Sequence, residues 1–211
     1  GGEGNMYWLW RQHWAGHEVL PGAVLYPSGK PFHIFGEVQR TAEEFEKASD
    51  FIANTTVKTE VALHFTSKNW NLFETQHVVN GFGYAERLKN DFHAPLTRAG
   101  LRPDVIGAKK DLAGYKVLFS PLMMSLEDGD LPERIEQWVK DGGVWVAGPM
   151  TDIRNSVGAH YRNADTGMLE RLTGCELTYS IPDSSVYVNS AWSDGEAFKG
   201  ERWHELYTLS D

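Results

Sequence analysis

Residues 116–147, KVLFSPLMMSLEDGDLPERIEQWVKDGGVWVA, decide the fold. They contain two short apolar runs, residues 116–120 and 144–147, on either side of a helix pattern. Both runs are almost continuously hydrophobic, which is typical of parallel strands that helices cover on both faces. Between them, Asp130 stands at the N-cap position of the helix and Gly142 follows its end. The stretch therefore predicts a strand–helix–strand unit of a parallel sheet.

The same alternation continues on both sides of this unit. The further predicted elements are strands at residues 61–66 and 104–107, one or two helices at 71–101, a short helix at 166–173, and a strand-rich tail from residue 176. Pro95 is expected to kink or divide the helical stretch that contains it. From about residue 55 onward we predict an α/β domain, an open parallel sheet with helices on both faces.

The N-terminal part of the chain has a different character. Residues 6–10, MYWLW, form an aromatic run that we interpret as a buried strand, and a loop rich in Gly and Pro follows it. Residues 35–54 have apolar side chains at helical spacing, which predicts an amphipathic helix. We therefore predict two parts: residues 1–54 as strand, loop and helix, and residues 55–211 as the α/β domain. The tail stops without a closing element, so we expect the domain to be cut there.

Composition narrows the classes of partner. The formal net charge of -9, from 29 acidic and 20 basic residues, disfavours nucleic acid and anionic membrane surfaces. No apolar run approaches the roughly 20 residues that a membrane-spanning helix needs. The single cysteine excludes an internal disulfide and fits a reducing compartment, so we expect a cytoplasmic location.

The carboxyl ends of parallel strands usually hold the ligand site of an open sheet. Here those ends read HFTSKNW, FSPLMM and AGPMTD, and none contains a glycine-rich phosphate loop or a GxSxG or GxCxG elbow. Cys175 lies in LTGCELTY, between a predicted helix and a strand, which favours a structural thiol. An amidotransferase-like enzyme that uses Cys175 as its nucleophile is kept as an alternative hypothesis.

The loop after the first aromatic run contains the remaining candidates. His13 and His17 are four residues apart in a predicted loop without a third ligand, so we predict no metal and no cofactor. Glu18 lies near Trp14 and Arg11, where its carboxylate can accept hydrogen bonds from sugar hydroxyls. The simpler interpretation is a solvated surface charge.

Trp8, Trp10 and Trp14 together with Glu18 suggest a second alternative, a stand-alone carbohydrate-binding module. Aromatic side chains also fill protein cores and interfaces, and composition alone favours that packing role.

Residues 7–40, YWLWRQHWAGHEVLPGAVLYPSGKPFHIFGEVQR, resemble the end of the catalytic barrel in β-galactosidases of glycoside hydrolase family 42. In that family a W-R-Q stretch, here Trp10 to Gln12, lies on the last barrel strand, and a G-x-E stretch follows it. VALHFTSKNWNLFE, the stretch from KVLFSPLMM to GPMTDIRN, and GMLERLTGCEL resemble the family's second domain. That domain is flavodoxin-like, is similar to class I glutamine amidotransferases without their nucleophile, and builds a trimer.

The resemblance implies the homotrimerisation domain of an enzyme that hydrolyses terminal β-D-galactosides in carbohydrate metabolism. Retaining hydrolysis uses two glutamates, which in this family come from earlier barrel strands, so we expect no catalytic residue here and no activity from this chain alone. Glu18, Trp10 and Arg11 match positions at the family's substrate site, with the galactoside bound only in the full enzyme. The family's histidine three residues after the glutamate is replaced by Pro21, which bears on galactoside specificity.

Overall fold

The structure is a computed structural model, and it describes residues 4–19, 22–78, 81–182, 186–189, 197–200 and 202–209. The chain divides into two compact units, residues 1–58 and residues 59–211. In chain order the helices are α1 (Phe35–Ala53), α2 (Ser67–Thr75), α3 (Tyr84–Arg87), α4 (Ala94–Arg98), α5 (Leu131–Lys140) and α6 (Leu169–Thr173). The strands are β1 (Val61–His64), β2 (Asp104–Ile106), β3 (Val117–Ser120), β4 (Val144–Ala147), β5 (Cys175–Ile181), β6 (Val186–Asn189), β7 (Ala197–Gly200) and β8 (His204–Leu209).

The second unit is built on a parallel sheet of four strands in the order β2-β1-β3-β4. Leu63 on β1 stands opposite Val105 on β2 and opposite Phe119 on β3, so these three residues lie side by side across the sheet. Because β1 and β3 have neighbours on both sides, their backbone groups are satisfied in the sheet. The predicted α/β class, with an open parallel sheet flanked by helices, is confirmed.

One face of this sheet carries the main core. Leu118 on β3 is fully buried there together with Leu131 and Ile135 of helix α5, and Trp138 and Trp145 pack against the cluster. Removing such side chains from water is the dominant force that holds helix and sheet together. The strand–helix–strand prediction for residues 116–147 is confirmed.

The start of α5 differs in one detail from the prediction. Asp130 occupies the N-cap position, but its carboxylate makes no hydrogen bond to the backbone of the helix. Its φ of -95° and ψ of 18° lie outside the extended conformation that aims a capping side chain at the first turn. The carboxylate instead accepts a hydrogen bond from Arg134 Nε at 2.9 Å.

The helical stretch before β2 is continuous but irregular. Between α3 and α4 the chain forms a π-helical turn over Leu88–His93, and Pro95 lies in the first turn of α4. Proline has no N–H to donate to the preceding turn, and such a lost hydrogen bond is a known cause of helix irregularity. The predicted distortion at Pro95 therefore takes the form of a wider turn rather than a break.

The opposite face of the sheet is partly open. Leu63 on β1 is buried, whereas Val144 and Val146 on the edge strand β4 are 56% and 37% exposed. Their partners across the ladder, Val117 and Phe119 on β3, are only half-buried. We call these four residues the open valine face. Strand β4 is thus the exception to the expectation that helices cover the apolar strands on both faces.

The predicted strand-rich tail is present as two antiparallel pairs, β5 with β8 and β6 with β7. Glu205 on β8 joins this tail to the parallel sheet. Its carboxylate accepts hydrogen bonds from the backbone N–H of Met150 at 3.0 and 3.1 Å, from Trp203 Nε1 at 2.8 Å and from the Tyr207 hydroxyl at 2.8 Å.

The first unit contains helix α1, as predicted, but residues 6–10 form no strand in the described part of the chain. The bridge nearest to them is a single parallel one between Arg11 and Leu25. Met6 and Trp8 are exposed, and Leu9 is buried. A strand exists only when a neighbouring strand continues its hydrogen-bond ladder, and residues 22–58 offer the segment around Leu25 alone.

Candidate functional site

The loop around Glu18 contains the residues that the sequence indicated for substrate contact. Arg11 points its guanidinium at this loop's far end, where Nε and Nη2 donate to the carbonyl oxygen of Pro27 at 2.9 and 2.5 Å. Gln12 Nε2 donates to the carbonyl of Val19 at 2.6 Å. Both side chains therefore hold the loop in place through backbone carbonyls.

Glu18 itself pairs with a residue that the sequence had suggested only as a metal ligand. His13 Nε2 lies 3.8 Å from Glu18 Oε2, and the two side chains are 46% and 60% exposed. This is a solvent-screened contact that leaves carboxylate oxygens open to other donors. The two residues lie five positions apart in a loop, a spacing that belongs to no regular element, so no local pattern indicated the pair.

The aromatic residues near Glu18 differ in how far they are packed against other side chains. Trp10 packs edge-on against Phe35 of α1, with ring centroids 6.4 Å apart and an interplanar angle of 61°. Trp8 and Trp14 are largely exposed, Trp14 to 87%. Trp10 is thus the aromatic of this group with a defined ring contact.

The remaining loop candidates are His13 and His17, considered above as metal ligands, and Pro21. Among the described residues no group of three or more His, Cys, Asp or Glu is placed to hold a metal ion. Pro21, where the resemblance leads us to expect a histidine, lies outside the described residues.

Met150, just after β4, has the positive φ found at a nucleophile elbow, but no helix follows directly and its side chain is not a nucleophile. Met150 has a φ of 59° and is completely buried. A thioether has no proton to lose and does not serve as the nucleophile of an acyl transfer. Cys175 lies elsewhere, at the start of β5, with its Sγ 3.8 Å from the carbonyl oxygen of Thr173. The geometry does not favour the amidotransferase-like alternative.

The turn after β4 is secured by a buried carboxylate. Asp152, with a φ of 60°, is fully buried, accepts hydrogen bonds from the N–H groups of Met168 and Leu169, and accepts another from the Tyr161 hydroxyl at 3.0 Å. Burial raises the pKa of Asp152, and its N–H and hydroxyl donors oppose that rise. The residue acts as an internal cap for the start of α6.

A buried serine and histidine meet between β1 and β3. His64 Nδ1 lies 2.8 Å from Ser120 Oγ, which also accepts a hydrogen bond from Trp145 Nε1 at 2.8 Å. His64 and Ser120 have no exposed surface, and His64 Nε2 has no hydrogen-bond partner within the described structure. Burial, with a smaller effect of the Arg134 charge, lowers the pKa of His64 to about 4. Substrate cannot reach this pair, so it belongs to the core.

The fold of residues 59–211 defines an α/β domain of the open parallel class. Residues 59–211 also match the family model described as "Beta-galactosidase trimerisation domain". Because this match covers well over half of the chain, the protein belongs to the β-galactosidase trimerisation domain family. The predicted resemblance to family 42 β-galactosidases is confirmed.

Relatives and solved structures agree with this assignment. The chain is 30% identical over 185 residues to the β-galactosidase YesZ of Bacillus licheniformis, covering 86% of the chain and 27% of that relative. It is 26% identical to YesZ of Bacillus subtilis, covering 94% of the chain and 29% of the relative. The chain thus spans less than a third of the length of these relatives.

Among solved structures, the cold-adapted β-galactosidase from Rahnella sp. R3 superposes with a TM-score of 0.80 at 22% identity, covering 95% of this chain and 31% of that one. The family 42 β-galactosidase Gan42B from G. stearothermophilus, as its E323A mutant, gives a TM-score of 0.81 at 20% identity, covering 96% and 30%. These likenesses show the fold. No comparison supports a stand-alone carbohydrate-binding module or a cysteine-dependent enzyme.

Proposed function

We propose that residues 59–211 hold three copies of a β-galactosidase together, in an enzyme that hydrolyses terminal β-D-galactosides in carbohydrate metabolism. The family match over these residues carries the proposal. The preceding residues 1–54, which include the Glu18 loop and helix α1, are proposed as the segment that ends the catalytic barrel of the same enzyme.

The open valine face is the proposed contact surface between copies. Val117, Phe119, Val144 and Val146 are adjacent on two paired strands, and two of them are more than a third exposed. A contiguous exposed apolar patch on a folded domain commonly marks a protein interface. In a ring of three copies each interface joins two different surfaces, so this face would meet another part of the neighbouring copy.

Light scattering over a dilution series tests the assembly. We expect a trimer of about 71 kDa, three times the 23.8 kDa of one chain. Val144→Lys places a charge on the open valine face and should reduce the mass to that of one chain. Val157→Lys, at an exposed position in a loop, is the matched control and should leave the trimer intact. A chain that is monomeric at every concentration would contradict a self-sufficient interface, and a trimer that tolerates Val144→Lys would place the interface elsewhere.

The chain is proposed to contribute no catalytic glutamate. Retaining glycosidases need two carboxylates about 5 Å apart, and the resemblance assigns both to earlier barrel strands. The 211-residue chain should therefore leave a nitrophenyl galactoside unhydrolysed. An enzymatic rate that Glu18→Gln abolishes would overturn this proposal.

Glu18 is proposed to contact the galactoside in the full enzyme. Its exposed carboxylate and the neighbouring His13 present hydrogen-bonding groups on a loop that Arg11 and Gln12 fix through carbonyl contacts. Trp10, braced by Phe35, would supply the apolar wall. In the full enzyme, Glu18→Gln should raise KM for the galactoside by about tenfold, the effect of losing a charged hydrogen bond. Glu43→Gln, on the exposed side of α1, is the control.

A cytoplasmic location is proposed from the unpaired Cys175. Within the described residues, no helix is long and apolar enough to cross a membrane. Cell fractionation with an antibody to the full enzyme tests the proposal, and recovery in the medium would contradict it.

A further inference from the structure

A pocket opens at the carboxyl end of the parallel sheet, on the side of β3 and β4. Its volume is about 290 Å³, and Leu122, Pro149 and Met150, which follow these two strands, lie in its wall. Open α/β sheets bind their ligands at this edge. The volume is at the small end of the range for small-molecule sites.

The pocket combines apolar rings with basic side chains. The rings of Phe82, Phe92 and Trp203 line it, and Trp203 is fixed by its hydrogen bond to Glu205. Among the described residues, the charged side chains of the lining are Arg87, Asp91, Lys199 and Arg202. Three of these four are cationic, in a chain whose net charge is -9. Among the described lining side chains, cationic groups therefore outnumber the single carboxylate.

Arg87 is the residue best placed to bind an anion. Its side chain is about one quarter exposed, and Nη1 donates to Asp91 Oδ2 at 3.2 Å. Its Nε is unpartnered among the described residues but has almost no exposed surface, so an anion would contact the exposed N–H groups of the guanidinium. A guanidinium presents several N–H donors in a fixed fork that matches a carboxylate or a phosphate. Lys199 and Arg202 have further interactions of their own, so Arg87 is taken as the primary contact.

We propose that this pocket binds a small organic anion, with a carboxylate or phosphate on Arg87 and an apolar ring between Phe82, Phe92 and Trp203. The site lies within the second unit and does not depend on hydrolysis of a galactoside. Asp91 competes with the ligand, because its carboxylate already occupies one donor of Arg87. Removing that carboxylate should therefore strengthen binding.

The test is calorimetric titration of the 211-residue chain with phenyl phosphate and with benzoate at low salt. Both should bind saturably at one site with a Kd of about 1 mM or tighter, and added salt should weaken both. Phenol, which has the ring without the charge, and inorganic phosphate, which has the charge without the ring, should each bind much more weakly. Equal binding of phenol would overturn the anion contact, and equal binding of inorganic phosphate would overturn the ring contact.

Three variants connect the binding to Arg87. Arg87→Gln should weaken phenyl phosphate binding by about tenfold or more, as expected for loss of a charge-assisted hydrogen bond. Asp91→Asn should tighten binding by about fivefold, because a nearby like charge is removed. Arg98→Gln, on the exposed surface of α4 outside the pocket, should change nothing.

The tighter phenyl phosphate binding expected from Asp91→Asn cannot result from unfolding. It therefore tests the site even if the Arg87→Gln variant is unstable. Unchanged affinity in both variants would overturn the site. Light scattering of the same variants should show unaltered trimer mass, which separates failure of this site from failure of the proposed assembly.

Discussion

The two units of this chain bury their apolar residues to very different degrees. In residues 59–211, side chains such as Leu63, Leu118 and Ile135 have no exposed surface. In residues 1–58, helix α1 contains no buried residue, and Phe51 on it is 73% exposed. Both units show the apolar periodicity of folded elements, so periodicity alone does not establish a core. A core also requires a second layer against which the apolar face can pack.

The largest expected effect contrasts truncations in the two units. Leu118→Ala should lower the free energy of unfolding by about 3 to 4 kcal/mol, because it leaves a cavity in a closed core. Phe51→Ala, at an exposed position in α1, should cost less than about 0.5 kcal/mol. Urea unfolding followed by circular dichroism measures both. Equal losses would mean that α1 is as well packed as the sheet.

The second comparison concerns carboxylates. Asp152→Ala removes the acceptor of two backbone N–H groups and of the Tyr161 hydroxyl, and should cost about 3 kcal/mol. Asp50→Ala, on the exposed side of α1, should be nearly neutral. The same unfolding curves decide this, and a small loss at Asp152 would show that water replaces its hydrogen bonds.

Acid should destabilise the second unit through His64. The pKa of His64 is about 4 in the folded chain and 6.5 when unfolded, so the unfolded chain binds more protons between these values. The contribution of His64 to the free energy of unfolding is therefore fully present above about pH 6.5. It falls by about 3 kcal/mol as the pH drops to 4. Unfolding curves at several pH values should show this slope in the parent and in His17→Leu, but a flatter slope in His64→Leu. An unchanged slope in His64→Leu would assign the acid sensitivity to other groups.

The smallest expected effect is that of removing the first unit. A shortened chain of residues 59–211 contains the core around Leu118 and also a second buried cluster that includes Tyr84 and Met150. Its melting temperature should therefore lie within about 5 °C of that of the whole chain. Scanning calorimetry measures the difference. A shortened chain that fails to fold would show that the second unit depends on the first.

Local patterns were sufficient for much of the fold. The pattern of β3, α5 and β4 lies within 32 consecutive residues, and its apolar runs, proline and glycine are all local signals. The predicted strand at residues 6–10 depends instead on a neighbouring strand, which composition cannot supply. Asp130 has the right residue type for a cap, but the backbone conformation that decides its role is not encoded in residue type alone.

The candidate sites were predictable to a smaller degree for the same reason. Glu18 was predicted from its loop and its neighbours and stays a prediction, whereas its pairing with His13 depends on how the loop folds. The anion pocket assembles Arg87 with residues near positions 122, 150 and 203, more than 100 residues apart at the extremes. No sequence window contains them together, so only the folded chain reveals the site.

The contact between Glu205 and the N–H of Met150 has a consequence for the order of folding during synthesis. The parallel sheet is complete once residue 147 has left the ribosome, but the turn that follows it is bound by a side chain made 55 residues later. Contacts between distant positions form slowly because a long loop must first close. We expect the nascent sheet to form early and the turn after β4 to reach its final conformation only when β8 pairs with β5.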